Sequence, residues 1–199
     1  WPGATVFWQI DHKVRIRTGK IMLYNPKSGK RVKEPVNYVT WVHSALKIPD
    51  YNLKQCFFGE FLLSLDPEKT VAIVESEKTA VICSVFMPEF NWIASGGLSN
   101  LNPEMCSVLA GREVMLYPDL NGYDKWEQKR KEILKAVKCK MSTSTILERK
   151  ATDQDRSAGY DMADFLIKRD IKSGLALTSY GYPIMWDEKF FYSNLMGSS

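Results

Sequence analysis

The sequence predicts an α/β protein, with a parallel sheet flanked by helices and preceded by a small, basic, β-rich subdomain. Two short apolar runs, at residues 71–74 and 113–118, are each followed by a stretch with helical spacing. A short apolar run indicates a buried strand, and alternation with helices is typical of a parallel sheet. Residues 4–42 are instead rich in aromatic and β-branched residues separated by turn-forming residues, which predicts antiparallel strands.

Length and composition predict a globular protein with two subdomains and a short extension. The 199 residues suffice for one compact domain or two small ones, and 45% hydrophobic and 25% charged residues are ordinary values. We expect residues 1–65 to form the basic subdomain, residues 66–175 the α/β domain, and residues 176–199 an extension that packs on the body and ends in disorder. No apolar stretch approaches a membrane span and no signal peptide is visible, so we expect a cytoplasmic protein without a membrane partner.

Cysteine and histidine usage argues against zinc and disulfides. None of the four cysteines stands at C-x-x-C spacing, and the two histidines, His12 and His43, have no supporting cluster. We therefore expect a reducing compartment and no zinc site within the chain.

Positive charge is concentrated in the first subdomain. Residues 1–54 carry ten basic and three acidic residues, whereas the remainder carries seventeen basic and twenty acidic ones. Between Lys13 and Lys33 there are eight basic residues and no acid. Such a stretch is typical of a surface that binds a polyanion such as DNA. The residues expected to contact nucleic acid are Lys13, Arg15, Arg17, Lys20, Lys30, Arg31 and Lys33. A solvated hairpin surface explains the same pattern equally well.

Two acids, Glu75 and Asp119, follow the two apolar runs directly. The chemistry of a parallel sheet is found at the carboxyl ends of its strands, so the two carboxylates are expected at one edge. Paired carboxylates suit a hard cation, which predicts a Mg²⁺ or Mn²⁺ site. The alternative is that each acid only caps, or opens, the helix that follows it.

The glycines of Ser95-Gly96-Gly97 follow a further predicted strand at residues 92–94. Glycine allows the backbone to approach a phosphate closely, which makes these three residues a candidate nucleotide-phosphate loop. A plain tight turn accounts for them equally well.

The remaining elements are predicted from periodicity. Helices are expected at residues 77–87, 98–109, 123–140 and 161–171, a strand at 144–147, and a mobile polar loop at 149–159. In the first helix the inward residues should be Ala80, Val81, Cys83, Ser84 and Met87. Gly19 is expected to mark a bulge between two short strands.

Two motifs and their order resemble the Toprim domain. Residues 71–80, which read Val-Ala-Ile-Val-Glu-Ser-Glu-Lys-Thr-Ala, resemble the glutamate motif of that family. Residues 116–122, which read Leu-Tyr-Pro-Asp-Leu-Asn-Gly, resemble its Asp-x-Asp-x-x-Gly motif. With the basic segment before them, they are most similar to primase-like Toprim proteins of bacterial mobile elements, which resemble the catalytic core of bacterial replicative primases. The resemblance covers most of residues 5–170.

The resemblance implies a metal-dependent nucleotidyl transfer of the DNA primase type. Glu75 takes the place of the glutamate that acts as general acid or base or helps hold metal, and Asp119 that of the first metal-binding aspartate. Asn121 stands where the second aspartate is expected, Ser76 where a glycine is usual, and Thr79 where an acid is usual. An amide oxygen brings no charge, so the site should bind Mg²⁺ or Mn²⁺ weakly.

The acids that could compensate for Asn121 are Glu77, Asp124 and Asp161. The partners that the resemblance implies are single-stranded DNA or a primer-template, nucleoside triphosphates, and a helicase or mobilisation protein. Two other functions stay open. One is a catalytically degenerate Toprim domain that only binds DNA, which Asn121 and Thr79 favour, and the other is a Toprim nuclease.

Overall fold

The structure, a computed structural model, describes residues 1–173 of the chain. The chain divides into two compact units, Trp1–Pro67 and Glu68–Ser199. The extension expected at residues 176–199 lies outside the described residues. Among residues 1–173, none of the helices combines the length and apolar character that crossing a bilayer requires.

The first unit is built on a three-stranded antiparallel sheet. Its strands are β1 (Thr5–Ile10), β2 (Ile16–Met22) and β3 (Val39–Trp41), in the order β1-β2-β3. Two single-turn helices follow, α1 (Val42–Ala45) and α2 (Leu62–Leu65). Phe7, Met22 and Phe57 are buried in its core.

Gly19 lies inside one continuous strand, so the bulge predicted there is wrong. A β-carbon at Gly19 would lie 2.8 Å from methyl groups of both Val6 and Val42 and 3.0 Å from the Trp8 ring. Glycine is therefore needed because neighbouring side chains pack directly over the backbone. The register irregularity is at Gln9/Ile10 in β1 instead.

The second unit is built on a four-stranded parallel sheet, which confirms the α/β class. Its strands are ordered β5-β4-β6-β7 and are β4 (Val71–Val74), β5 (Asn91–Ala94), β6 (Glu113–Leu116) and β7 (Lys140–Thr143). All four residues of β4 and of β5 are buried, as expected for parallel strands covered on both faces. The helices are α3 (Glu77–Phe86), α4 (Pro103–Cys106), α5 (Tyr123–Leu134), α6 (Ile146–Lys150), α7 (Asp153–Ala158) and α8 (Met162–Ser173).

The helix predicted at residues 98–109 is broken into three pieces. Leu98–Asn100 and Ser107–Leu109 are short 3₁₀ helices on either side of α4. The Asn102 side chain accepts a hydrogen bond from the Met105 N–H at 3.0 Å. This cap starts a new helix at Asn102, so the preceding turn cannot continue into it.

The boundaries predicted between residues 134 and 147 are also wrong. Helix α5 ends at Leu134 instead of residue 140, and β7 occupies Lys140–Thr143 beside β6. The strand predicted at 144–147 is not formed, because α6 begins at Ile146 and buries Ile146 and Leu147. Ile146 and Leu147 are two adjacent apolar residues, and such a pair is compatible with either a strand or a helix. Residues 140–143 pair with β6 and form the strand, and Ile146 and Leu147 begin the helix that follows.

The polar stretch at residues 149–159 is helical rather than a loop. Thr152 and Asp155 form a capping box that starts α7, and Gly159 ends it at φ +63°. On α3, Val81 and Ser84 were predicted to face inward but are exposed. Glu77 and Thr79 are buried instead.

Candidate functional site

Glu75 and Asp119 follow neighbouring parallel strands at the carboxyl edge of the second unit's sheet. Strand β4 lies between β5 and β6. Beyond the regular ladders, the Gly96 N–H donates to the Glu75 carbonyl at 2.8 Å and the Tyr117 N–H donates to the Ile73 carbonyl at 2.8 Å. These bonds fix the backbone on both sides of Glu75, where the sheet opens into its loops.

The carboxylate of Asp119 interacts electrostatically with three other carboxylates. The pKa of Asp119 is raised to about 7, by burial first and then by the negative charges of Asp161, Glu75 and Asp164, in that order. Negative groups that disfavour each other's charge are typical of sites that bind a cation or move a proton. The structure therefore brings Glu75 and Asp119 together, with two further acids from the start of α8.

Asp161 is held in place from two directions. Its Oδ1 accepts the Asp164 N–H at 2.9 Å, and its own N–H donates to Asp164 Oδ2 at 3.3 Å, which is a reciprocal cap at the start of α8. Its Oδ2 accepts the Thr79 hydroxyl at 2.5 Å. Thr79 thus connects α3 to the acidic start of α8.

The turn after β6 is tight and is fixed to α8. The Gly122 N–H donates to the Asp119 carbonyl at 2.9 Å, and a β-carbon at Gly122 would lie 2.9 Å from that oxygen. The Leu120 N–H donates to the Tyr160 carbonyl at 3.0 Å. Because Tyr160 precedes Asp161, this bond ties the turn of Asp119 to the neighbouring acids.

Asn121 has a structural role in this turn. Its backbone is left-handed, at φ +68°, a conformation that Asn tolerates better than most residues. Its side-chain Nδ2 donates to the Arg156 carbonyl at 3.1 Å, and its N–H donates to Glu148 Oε1 at 3.3 Å. Glu148 in turn pairs with the Arg156 guanidinium at 2.5 Å. Glu148 and Arg156 carried no signal in the sequence, because only the fold brings them to Asn121.

The backbone of Ser95, Gly96 and Gly97 is engaged within the protein. The Gly96 N–H is bonded to the Glu75 carbonyl, and the Gly97 N–H lies 3.5 Å from the Ser95 hydroxyl. The Ser95 carbonyl accepts the Asn100 side-chain amide at 3.0 Å. At φ +73°, Gly96 occupies a conformation that favours glycine. These partners are those of a tight turn, and phosphate binding at these residues stays a prediction.

Glu75 and Asp119 supply two carboxylates, the type of oxygen ligand that Mg²⁺ takes in proteins. Within residues 1–173, no three or more His, Cys, Asp or Glu side chains are arranged so that they could hold a metal ion. Mg²⁺ does not require such a cage, because it is commonly bound by one or two carboxylates together with water and substrate phosphates. Of the other acids considered, Glu77 is buried in the first turn of α3 and Asp124 is exposed at the start of α5.

In the first unit, Arg15 and Arg17 share a buried carboxylate. Asp11 is 3% exposed and accepts the N–H groups of Lys13 and Arg15 at 2.9 and 3.0 Å. Its Oδ2 also accepts the Nε groups of Arg15 and Arg17 at 2.9 and 2.8 Å. Burial alone would raise the pKa of Asp11, but these donors outweigh it and hold the pKa well below its ordinary value. Asp11 offsets part of the charge of the two arginines.

The other predicted nucleic-acid contacts lie on different parts of this unit. Arg17 lies where the register between β1 and β2 shifts, and Lys20 pairs with Trp41 across β2 and β3. Lys20 is partly exposed. The exposed members of the set are Lys13, Arg15, Lys30, Arg31 and Lys33. Of the seven predicted contacts, the structure thus brings Arg15 and Arg17 together on Asp11.

The model of a protein family described as a domain of unknown function (DUF6371) matches residues 1–120 of the chain. The matched region is more than half of the 199 residues and includes Glu75 and Asp119. No curated protein matches the chain.

Proposed function

The chain belongs to the DUF6371 family, and from its fold and its carboxylate site we propose that it is a primase-like Toprim protein. In this proposal the chain binds single-stranded DNA or a primer-template. It uses a divalent metal ion to transfer nucleotides from nucleoside triphosphates. The setting would be replication or mobilisation of a mobile element, with a helicase or mobilisation protein as a further partner.

One observation supports the proposal more than any other. Glu75 and Asp119 follow adjacent parallel strands, and the pKa of Asp119 is raised to about 7 by burial and by surrounding carboxylates. A carboxylate with this pKa is poised to exchange its proton for a cation near neutral pH. This arrangement occurs at the edge of the sheet where α/β enzymes carry their chemistry.

Each residue of the site would have a defined task. Asp119 would hold the cation, with Glu75 either as a second ligand or as the general base for the attacking hydroxyl group. A bound divalent ion would supply electrostatic stabilisation of the charge that develops on the phosphates. The Thr79–Asp161 hydrogen bond would keep the acidic start of α8 beside Asp119.

The proposed DNA contact rests on the first unit. Lys13, Lys30 and Lys33 are exposed, and eight basic residues and no acid lie between Lys13 and Lys33. Exposed lysines contact phosphates without reading sequence, which suits a protein that acts on any template.

Asn121 favours a second candidate, a Toprim domain that binds DNA without catalysis. The side-chain amide of Asn121 donates to the Arg156 carbonyl, and the residue is exposed. If Asn121 only holds the turn, the ion would have just two carboxylate ligands, Glu75 and Asp119. DNA affinity that is independent of metal, without nucleotide incorporation, would support this candidate.

Nucleotide incorporation on a single-stranded template, with Mg²⁺ or Mn²⁺ present, tests the leading proposal. Glu75→Gln should lower the rate of incorporation by about 10²–10⁴-fold, the usual contribution of a positioned acid or base. The matched control is Glu113→Gln, an exposed glutamate at the start of β6, which should leave the rate unchanged. Incorporation by the Glu75→Gln variant at the unmodified rate would refute the catalytic assignment. Metal-dependent nicking of DNA without incorporation would point to a nuclease instead.

A further inference from the structure

Three partly exposed rings form a stack on the first unit. The rings of His43 and Tyr51 are parallel within 5°, with centroids 4.6 Å apart. The ring of Trp41 also stacks on His43, with centroids 6.3 Å apart and an angle of 27° between the ring planes. All three side chains are partly exposed. Within residues 1–173, neither Trp41 nor Tyr51 stacks on a further ring.

Side-chain hydrogen bonds hold this stack against β2. The Thr18 hydroxyl and His43 Nδ1 are 2.9 Å apart, and the Tyr51 hydroxyl donates to the Arg17 carbonyl. The two residues that bind the rings, Arg17 and Thr18, are adjacent in β2. Because hydrogen bonds hold His43 and Tyr51 in place, a planar ligand could extend the stack without the entropic cost of ordering these two rings.

The surroundings of the stack are basic. Lys20 pairs directly with Trp41 across β2 and β3, so the two side chains lie next to each other on one face. Tyr51 is bonded to the backbone of Arg17, whose side chain pairs with Asp11 beside the exposed Arg15. A ring platform beside positive charge is the combination that single-stranded nucleic acid uses, since its bases stack and its phosphates pair.

We propose that the stack of Trp41, His43 and Tyr51 is a base-stacking subsite for single-stranded nucleic acid, with an unpaired base extending it at Trp41 or Tyr51. This inference rests on the proposed binding of single-stranded DNA and names the residues that would distinguish an unpaired strand from a duplex. Bases held within a duplex are already stacked, so they cannot extend the platform.

Binding of the full chain to an oligothymidylate and to an abasic oligonucleotide of the same length and charge tests the subsite. The unmodified protein should prefer the thymidylate, because only this strand carries bases. Trp41→Ala should weaken thymidylate binding about 5- to 150-fold, from a stacking contribution of about 1–3 kcal/mol per base. It should leave abasic binding unchanged, while Trp41→Phe should keep most of the preference. An oligouridylate arm determines whether the subsite accepts RNA as well as DNA.

Trp8→Ala is the matched control, since Trp8 is 42% exposed on β1 and lies outside the stack. Equal affinity of the unmodified protein for the two strands would overturn the subsite, and this comparison needs no variant to fold. Equal losses on both strands in Trp41→Ala, or the same loss in Trp8→Ala, would also overturn it. The absence of binding to every strand at low salt would instead refute the proposed DNA binding itself.

Discussion

The protonation of Asp119 is the residue-level property on which the carboxylate site depends. Its pKa is raised by burial and by Asp161, Glu75 and Asp164, so ionisation of Asp119 adds a negative charge to an environment that already holds three. A divalent cation would relieve this repulsion by displacing the proton. Metal affinity should therefore increase as the pH rises through about 7.

The same pKa predicts how stability depends on pH in the absence of divalent ions. In the folded protein Asp119 holds its proton up to about pH 7, whereas in the unfolded chain it ionises near pH 3.8. The stability that Asp119 contributes is thus fully present below its pKa in the unfolded chain. It is lost as the pH rises through its pKa in the folded protein. With EDTA present, unfolding free energies measured by urea titration should fall by about 1–2 kcal/mol more in the unmodified protein than in Asp119→Asn between about pH 5 and pH 8.

Asp124→Asn is the control for this pH experiment, because Asp124 is exposed at the start of α5. Its stability should follow that of the unmodified protein across the same range. Identical pH dependence in Asp119→Asn and the unmodified protein would show that Asp119 has an ordinary pKa.

At this scale the sequence predicted the two acids but not their surroundings. Glu75 and Asp119 each follow an apolar run, and this local pattern is sufficient to place them at the ends of strands. The approach of Asp161 to Thr79 joins residues that are 82 positions apart. No local pattern encodes such a contact. The sequence likewise predicted Asn121 as a weak metal ligand. In the structure its side-chain amide donates to the Arg156 carbonyl, which gives it a structural role.

Among the elements, the contact between α3 and α8 determines where the extra acids lie. Thr79 is buried on α3, and its hydroxyl donates to Asp161 at the start of α8. Thr79→Val keeps the shape of the side chain but leaves one carboxylate oxygen without this donor. We expect a loss of about 1–3 kcal/mol in unfolding free energy, measured by urea titration. Thr5→Val on β1, where the side chain is exposed, should cost much less; equal costs would show that the bond contributes nothing.

The elements predicted correctly are those with a strong local signal. Strands β4 and β5 match the strands predicted at residues 71–74 and 92–94, and α3 matches the helix predicted at residues 77–87 to within one residue. Strand β7 has one buried residue, Met141, and forms because β6 offers it a partner. Its pattern alone does not distinguish it from the end of the preceding helix, which explains why that helix was predicted too long. Polar residues at 149–159 likewise indicated a loop, although a capping box starts α7 there.

At the scale of the whole molecule, the two units carry different charge and different proposed tasks. The first 54 residues have a formal charge of +7, from ten basic and three acidic residues, whereas the carboxylates of the proposed metal site lie in the second unit. Binding to DNA phosphates through the first unit should be sensitive to salt, because each neutralised phosphate releases counterions.

A double variant, Lys30→Gln with Lys33→Gln, tests this contact. Both lysines are exposed, so their loss should not affect folding. The slope of log affinity against log salt for single-stranded DNA should become shallower by about 1.4, at about 0.7 for each lost phosphate contact. Lys54→Gln, an exposed lysine beyond the basic stretch, should leave the slope unchanged. An unchanged slope in the double variant would remove these two residues from the DNA contact.

The most direct test of a metal site at the sheet edge is a calorimetric titration of the chain with Mg²⁺ and Mn²⁺. The unmodified protein and Glu113→Gln should both bind the ions, and binding should be lost in Glu75→Gln and in Asp119→Asn. This result would assign a working metal site to the ends of β4 and β6. If the unmodified protein binds neither ion, even with DNA and nucleotide present, the catalytic proposal is wrong, and a DNA-binding module is the better description.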